Sequence, residues 1–243
     1  MEVAKTEILR EVSYLQKGKG KDLVLLHGYM SSKEAFFAQI DYFSKYYTVT
    51  AIDFLGFGAS APLTQPFSVG DYAKWTEEVL LALNICRPSV IAHSFGCRVA
   101  LKMAEGRGQV FDKIVLTGPA GVIMNRGFAY HFKVKAYRFV RKIAPKFAEK
   151  RFGSAEYRAL SPIMKESYKK IVNEDLREVA SRVENEVLIL QGRSDTTTPR
   201  QEAEVYERVL KRGVLRFLDG GHFAFLENST VFNLLTEEFL NNV

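Results

Sequence analysis

The apolar residues of this chain form short continuous runs that alternate with stretches of helical spacing. Continuous runs predict strands buried on both faces, because such strands have no polar side. They cover 22–26, 47–52, 89–92, 113–117, 186–191 and 214–218. Stretches with apolar residues three or four positions apart predict amphipathic helices. They cover 32–43, 69–83, the residues after 94, the residues from Pro199 to 209, and 231–240. Residues 7–15 alternate loosely and predict one or two edge strands.

Alternating strands and helices predict an α/β fold with a mostly parallel central sheet and helices on both faces. Ligands of such sheets bind beyond the carboxyl ends of the strands. His27, Asp53 and Ser94 each follow a predicted strand directly. We therefore expect these side chains to cluster at one edge of the sheet.

The alternation stops between residues 123 and 182, where the pattern is helical and rich in aromatic residues. We interpret this segment as a helical lid inserted over the strand ends. The α/β core would then consist of residues 1–122 and 183–243. The alternative interpretation is a set of peripheral helices with a solvated basic face.

The composition is that of an ordinary globular protein. The 243 residues are 47% hydrophobic and 26% charged, and no apolar run reaches the roughly 18–20 residues that span a membrane. The first residues contain no apolar signal region, so we expect a cytoplasmic protein. Cys86 and Cys97 are predicted to be reduced thiols in the core, and no Cys/His cluster predicts a metal site.

Positive charge is concentrated in the predicted lid. Residues 123–182 contain 15 Lys and Arg against 6 Asp and Glu, whereas the whole chain has a net charge of +6. No nucleic-acid recognition motif accompanies this charge, so we do not expect nucleic-acid binding. An anionic substrate or a transient contact with an anionic membrane fits better. Residues 130–147 mix aromatic with basic residues, as interfacial helices do. The oligomeric state is not indicated.

Ser94 lies between a predicted strand and a predicted helix, with Ala92 and Gly96 two positions to either side. Small neighbours let the strand and the helix approach each other at a sharp turn, which exposes the serine hydroxyl. The N–H groups at the start of the helix point to the same place, where they could hold an oxyanion. This arrangement suits a serine that attacks a carbonyl group.

A serine hydroxyl needs an adjacent base, and that base needs a third group to orient it. Asp195 follows a later strand and His222 follows the last one. The three residues therefore occur in the order Ser, Asp, His.

In this order of motifs the chain resembles the α/β-hydrolase superfamily over essentially its full length. The matching pieces are His27-Gly28, Asp53-x-x-Gly56-x-Gly58-x-Ser60, Ala92-x-Ser94-x-Gly96, Gly192-x-x-Asp195 and Gly221-His222. Ala92 departs from the family, which most often has glycine there. The predicted lid is also shorter and more basic than in many relatives, which affects the expected substrate and not the chemistry.

The resemblance implies a role for each of five residues. Ser94 would be the nucleophile, His222 the general base and acid, and Asp195 the orienting carboxylate. The backbone N–H groups of Tyr29 and Phe95 would form the oxyanion hole. No metal or cofactor is implied.

Other histidine and aspartate residues have structural interpretations. His27 is expected to fix the oxyanion loop, and the side chain of His93 is expected to turn into the fold. Asp53 is expected to hold its own glycine loop. Asp219, three residues before His222, is poorly placed for the third position of the triad.

The predicted function is a serine hydrolase that cleaves carboxylic esters through an acyl-enzyme. The aromatic lid favours a small-molecule substrate with an apolar portion, and the basic charge favours an anionic one. Two alternatives stay open: hydrolysis of a carbon–carbon bond in a diketone-like ring-cleavage product, and a ligand-binding or signalling protein of the same fold with slow or no turnover.

Overall fold

A computed structural model describes residues 2–124, 157 and 159–242 of the chain. The described residues form one seven-stranded sheet with helices around it. The strands are β1 (Tyr14–Lys17), β2 (Lys21–Leu26), β3 (Tyr47–Ile52), β4 (Ser89–His93), β5 (Lys113–Thr117), β6 (Glu186–Gly192) and β7 (Gly213–Leu218). The helices are α1 (Glu2–Glu11), α2 (Phe37–Phe43), α3 (Val69–Ala82), α4 (Phe95–Ala104), α5 (Pro162–Val172), α6 (Arg177–Ser181), α7 (Arg200–Val209), α8 (Ala224–Glu227) and α9 (Ser229–Asn241).

The sheet has the strand order β1-β3-β2-β4-β5-β6-β7. The short edge strand β1 pairs antiparallel with β3, and the other neighbours pair in parallel. Each of the six strands predicted from the apolar runs is present within one or two residues of the expected bounds. Because these strands are parallel, their carboxyl ends lie at the same edge of the sheet.

Apolar side chains cover both faces of the sheet, as the continuous runs predict. In β2, Val24 and Leu26 point into one core with α3 and α4, whereas Leu23 and Leu25 point into a second core with α2 and α9. All four are fully buried. Successive residues of a strand point to opposite faces, so a strand between two helical layers must be apolar throughout. The predicted α/β core, a mostly parallel sheet with helices on both faces, is confirmed.

The prediction of edge strands at residues 7–15 is wrong for most of that segment. It begins in helix α1, which lies against α3, and only its last two residues belong to β1. Ile8 and Val12 are one helical turn apart and both pack on the core. The loose alternation concealed this helical spacing.

The predicted lid is only partly described. Residues 125–156 and 158 lie outside the described part, and they include the whole of the 130–147 stretch for which membrane contact was considered. The described remainder of 123–182 contains the helices α5 and α6. That the segment acts as a lid, and that it divides the core at 122 and 183, stay predictions.

The two cysteines are free thiols in different environments. Cys97 is buried in α4, as expected, and burial raises the pKa of its thiol. Cys86 is exposed, which contradicts the prediction of a core residue. It lies in the turn between α3 and β4, beside Arg87 with its positive φ of 49°, and not in either element. None of the helices in the described residues is long and apolar enough to cross a membrane.

Candidate active site

Ser94 occupies a strained turn between β4 and α4. Its φ of 50° and ψ of −105° lie where residues other than glycine are rare, and such a conformation costs on the order of 1–3 kcal/mol. The surrounding structure holds it in place: the Ser94 N–H donates to the carbonyl of Thr117 at 3.0 Å, and the Ser94 carbonyl accepts from the N–H of Cys97 at 3.1 Å. The strained turn expected from the sequence is therefore present.

Two glycines allow other chain segments to approach this turn. At Gly96, a Cβ would overlap the carbonyl of Leu26, so α4 can cross β2 this closely only with glycine at that position. At Gly28, a Cβ would lie 2.8 Å from His93 Nδ1 and 3.5 Å from Ser94 Cβ. The loop after β2 thus passes directly beside the serine. Ala92, where relatives most often have glycine, is accommodated with its side chain fully buried.

His222 and Asp195 form a hydrogen-bonded pair at the ends of β7 and β6. The distance from His222 Nδ1 to Asp195 Oδ2 is 2.8 Å, and the Asp195 side chain is fully buried. Burial alone raises the pKa of this carboxyl, but the hydrogen bonds from His222 and Thr198 outweigh it and lower the pKa to about 2. Asp195 is thus ionised near neutral pH and can hold the imidazole of His222 with Nδ1 protonated.

The carboxylate of Asp195 has further partners that the sequence analysis missed. Oδ1 accepts the backbone N–H groups of Thr197 and Thr198, at 2.8 and 3.0 Å. Oδ2 accepts the Thr198 hydroxyl at 2.8 Å and the Gln191 amide at 3.2 Å. An aspartate side chain often forms a turn by accepting the backbone N–H groups two and three residues further along the chain. The sequence Asp-Thr-Thr-Thr-Pro could therefore have indicated this turn.

One hydrogen bond joins the serine turn to the histidine loop, and a glycine of the loop after β5 packs against the His222–Asp195 pair. His93 Nε2, next to Ser94, lies 2.9 Å from the carbonyl oxygen of His222. A Cβ on Gly118, in the loop after β5, would lie 3.1 Å from His222 Nδ1 and 3.3 Å from Asp195 Oδ2. Within the described residues no hydrogen bond joins Ser94 Oγ to His222. Such bonds often tighten only when substrate binds.

The two N–H groups expected to hold an oxyanion border the serine. Phe95 is the first residue of α4, where an N–H has no partner inside the helix. Tyr29 follows Gly28 in the loop beside Ser94. Among the described residues, neither N–H donates to another protein atom. Within that part of the chain, neither N–H thus has a protein acceptor that would compete with a ligand.

His27 and His93 have the structural positions expected of them. His27 is fully buried, with Nδ1 2.6 Å from the Gly28 carbonyl and Nε2 accepting the Phe54 N–H at 3.0 Å. It thus joins the Tyr29 loop to the loop after β3. Burial lowers the pKa of His27 to about 4. Burial and the neighbouring His222 lower the pKa of His93 to about 3. Neither ring is charged near neutral pH.

Asp53 holds its own loop, as expected. It accepts the Ala59 N–H at 2.9 Å and pairs with Lys33 Nζ at 2.7 Å, and a Cβ on Gly58 would overlap its carboxylate. Asp219, the weaker candidate for the triad, is exposed and pairs with Arg193 at 3.3 Å.

Residues 23–233 match the family model described as the alpha/beta hydrolase family. The chain belongs to this family. It is accordingly a hydrolase.

Individual members of the family resemble this hydrolase to different extents. An (E)-2-((N-methylformamido)methylene)succinate hydrolase of Acinetobacter baylyi is 33% identical over 110 residues, which cover 45% of this chain and 42% of that protein. The match thus spans less than half of that relative. Among solved structures, an esterase from Exiguobacterium antarcticum has a TM-score of 0.75 at 21% identity, covering 95% of this chain and 96% of that one. A meta-cleavage product hydrolase from Pseudomonas fluorescens has a TM-score of 0.73 at 22% identity, covering 95% of this chain and 94% of that one. Likenesses at this identity show the fold alone.

Aromatic rings pack around Tyr29, in the loop that passes beside Ser94 in this hydrolase. The ring centroid of Tyr29 lies 4.8 Å from that of Phe57, 5.5 Å from Phe95 and 5.3 Å from Tyr168. Next to His222, Phe223 is 44% exposed, and Met30, next to Tyr29, is equally exposed. Both loops thus carry exposed apolar side chains.

A cavity of about 860 Å³ lies at the opposite, amino edge of the sheet. Its lining includes Arg87, Asp112, Lys113 and Glu186, which form the ion pairs Arg87–Asp112 and Lys113–Glu186, each 3.5 Å. It contains no residue of the serine turn. In the part of the chain that the structure describes, no group of three His, Cys, Asp or Glu side chains is placed to hold a metal ion.

Proposed function

We propose that this hydrolase cleaves carboxylic esters through an acyl-enzyme formed on Ser94. The observation that carries the proposal is the Asp195–His222 hydrogen bond, at the sheet edge where β4 ends in the strained turn of Ser94. A buried carboxylate that fixes one imidazole nitrogen leaves the other free to accept the proton of a serine hydroxyl.

In the proposed reaction, Ser94 Oγ bonds to the ester carbonyl carbon while its proton passes to His222. The carbonyl oxygen becomes an oxyanion, to which the N–H groups of Tyr29 and Phe95 donate. The tetrahedral intermediate then expels the alcohol, which takes the proton from His222. A water molecule, deprotonated by His222, attacks the acyl-enzyme, and the acid leaves as Ser94 regains its proton.

The apolar surroundings favour a substrate with an apolar or aromatic acyl group. The half-buried Tyr29 and the exposed Met30 and Phe223 offer such a group a surface that water solvates poorly. The case for an anionic substrate gains no support from the described part of 123–182. There, Lys169, Arg177 and Arg182 each pair with an acidic side chain. The anionic part of the substrate stays a prediction.

The test is hydrolysis of aryl esters from acetate to laurate by the wild type, Ser94→Ala and Ser89→Ala. Ser89 is the matched control, because it begins the same strand that Ser94 follows. We expect Ser94→Ala to lose on the order of 10⁴–10⁶ in turnover. We expect Ser89→Ala to stay within about twofold, as is usual away from the machinery of the reaction.

Three outcomes would contradict the proposal. Activity that survives in Ser94→Ala would exclude this serine as the nucleophile. A folded wild type that hydrolyses none of the esters would exclude general esterase activity and direct the search to carbon–carbon substrates. Ligand binding with turnover far below about 1 s⁻¹ would indicate a binding or signalling role instead.

A further inference from the structure

The side chain of Tyr29 connects the oxyanion loop to helix α5. Its hydroxyl donates to the carbonyl of Met164 at 3.1 Å, and its ring lies 5.3 Å from the ring of Tyr168 on the same helix. Burial raises the pKa of this hydroxyl, so it keeps its proton and acts as a donor. The residue that supplies a candidate oxyanion donor through its backbone is thus bound through its side chain to a helix 135 residues later.

Helix α5 is itself fixed to the core at several points. Ser167, which is fully buried, accepts the N–H of Phe67 at 2.9 Å, and Lys170 Nζ donates to the carbonyl of Pro66 at 2.9 Å. These bonds hold the helix against the segment that precedes α3. Because the helix cannot shift without breaking them, it offers the Tyr29 hydroxyl a fixed acceptor.

The carboxyl end of α5 is bound to the helix that carries the second donor. Arg98 on α4 is 8% exposed, and its Nη1 donates to the carbonyls of Ile171 and Glu174 at 2.8 and 2.9 Å. A cation at the end of a helix satisfies its last carbonyls and interacts favourably with its dipole. Since α4 begins with Phe95, both oxyanion elements are attached to α5, one near each end.

We propose that the side chain of Tyr29 has a positioning role. The bond from its hydroxyl to α5 holds the backbone N–H of the same residue in the position that the tetrahedral intermediate requires. The inference rests on the proposed serine mechanism and extends it. An oxyanion donor is effective only within about 2.7–3.1 Å of the developing charge. The preceding residues are held by His27 and by the close approach of Gly28 to His93. The following residue, Met30, is exposed at a φ of 58°, so the Tyr29 hydroxyl anchors the side of the loop that faces α5.

The alternative is that the hydroxyl binds the substrate directly. A bond made equally in the bound substrate and in the transition state changes KM and leaves kcat unchanged. A bond that positions the oxyanion donor changes kcat, because the donor acts on charge that develops only in the transition state. The two roles are therefore separable by kinetics.

The experiment compares Tyr29→Phe with Tyr47→Phe in the same ester assay. Tyr47 is the matched control, because its hydroxyl also makes one 3.1 Å bond, to Asn241, at the other edge of the sheet. We expect Tyr29→Phe to lower kcat about tenfold with KM unchanged. Complete loss of one oxyanion donor lowers kcat by roughly 10²–10³, and this variant should lose only part of that contribution. Affinity for phenylboronic acid, whose serine adduct resembles the tetrahedral intermediate, should fall by the same factor. Tyr47→Phe should stay within about twofold of the wild type in both assays.

Two results would overturn the role of Tyr29. One is a Tyr29→Phe variant with the kcat and boronic acid affinity of the wild type. The other is a variant in which KM alone rises. Boronic acid binding to Ser94→Ala shows whether such a result contradicts only the role of Tyr29 or the serine mechanism as well. Boronic acid binding that survives without the serine hydroxyl contradicts the mechanism itself. If boronic acid binding is lost in Ser94→Ala but unchanged in Tyr29→Phe, only the positioning role of Tyr29 is contradicted.

Discussion

Two loops at the carboxyl edge of the sheet each hold a buried aspartate, and they differ in the basic group that faces it. Asp53 and Asp195 both have fully buried side chains. Asp53 accepts two backbone N–H groups at 2.7 and 2.9 Å, and Asp195 accepts two at 2.8 and 3.0 Å. The partner of Asp53 is Lys33 at 2.7 Å, whereas the partner of Asp195 is His222 at 2.8 Å.

The difference in partner separates a pair that can only hold a loop from a pair that the proposed mechanism can use. A lysine ammonium stays charged at neutral pH, so its pair with Asp53 can only hold the loop closed. An imidazole can both accept and donate a proton through its ring nitrogens, so its pair with Asp195 can take part in the proposed reaction. The burial and backbone contacts of the two aspartates therefore do not distinguish them, whereas their partners do, and only Asp195 has the partner that the proposed mechanism requires.

The largest expected difference between the two aspartates is in turnover. Asp195→Asn keeps the size of the side chain but removes the negative charge that orients and stabilises His222. We expect kcat for ester hydrolysis to fall by roughly 10³–10⁴. Asp53→Asn should lower it less than about tenfold, since Asp53 contacts neither Ser94 nor His222. Equal losses in both variants would show that the two aspartates do not have separate roles.

Much of this arrangement could be predicted from the sequence, because its signals are local. The apolar runs place Ser94, Asp195 and His222 directly after strands, and parallel strands bring those ends to one edge. The partners of the two aspartates could not be predicted in this way. Lys33 reaches Asp53 from the short 3-10 helix Lys33–Phe36, and the Thr198 hydroxyl reaches Asp195 only because of how its turn folds.

Two further features were not predicted, for a related physical reason. The bond from the Tyr29 hydroxyl to Met164 depends on how α5 packs across the site, and no spacing in the chain indicates it. Helix α1 was missed because its few inward residues also fit a loose alternation. Side-chain contacts between distant segments follow from packing, whereas strand order follows from the hydrophobic pattern.

A smaller effect is expected in stability, with the order of the two variants reversed. Asp53→Asn removes the buried carboxylate from Lys33, whose ammonium is left with the exposed Glu34 at 2.9 Å. We expect a loss of about 2 kcal/mol in the free energy of unfolding, less than for a fully buried pair with no second partner. Asp195→Asn should cost less, about 1 kcal/mol, because its partner His222 can stay neutral. Urea unfolding at pH 7 measures both values. A larger loss in Asp195→Asn would contradict the structural assignment of Asp53.

The same variants should change the dependence of stability on pH. The pKa of Asp195 is lowered to about 2 from its ordinary 3.8, and the Ala59 N–H and Lys33 outweigh burial to lower that of Asp53 as well. A carboxyl with a lowered pKa in the folded state stabilises the fold above its unfolded pKa, and this contribution is lost as pH falls through the folded value. Urea unfolding between pH 4 and about 2 should therefore show a shallower loss in each asparagine variant than in the wild type. An unchanged slope would mean that the carboxyl titrates alike in both states.

The smallest expected effect concerns the hydroxyl that shares an oxygen of Asp195 with His222. Thr198→Val keeps the shape of the side chain but removes the 2.8 Å bond to Oδ2, while the backbone N–H groups and His222 still hold the carboxylate. We expect kcat to fall about fivefold with KM unchanged, because one bond that orients the carboxylate is lost. Thr198→Ser should restore most of the loss, and Thr197→Val, at an exposed neighbouring position, should have no effect. If Thr198→Val has the turnover of the wild type, the backbone of the turn is sufficient to orient Asp195. In that case both aspartates are held by the backbone N–H groups of their own loops, and they differ only in the basic side chain with which they pair.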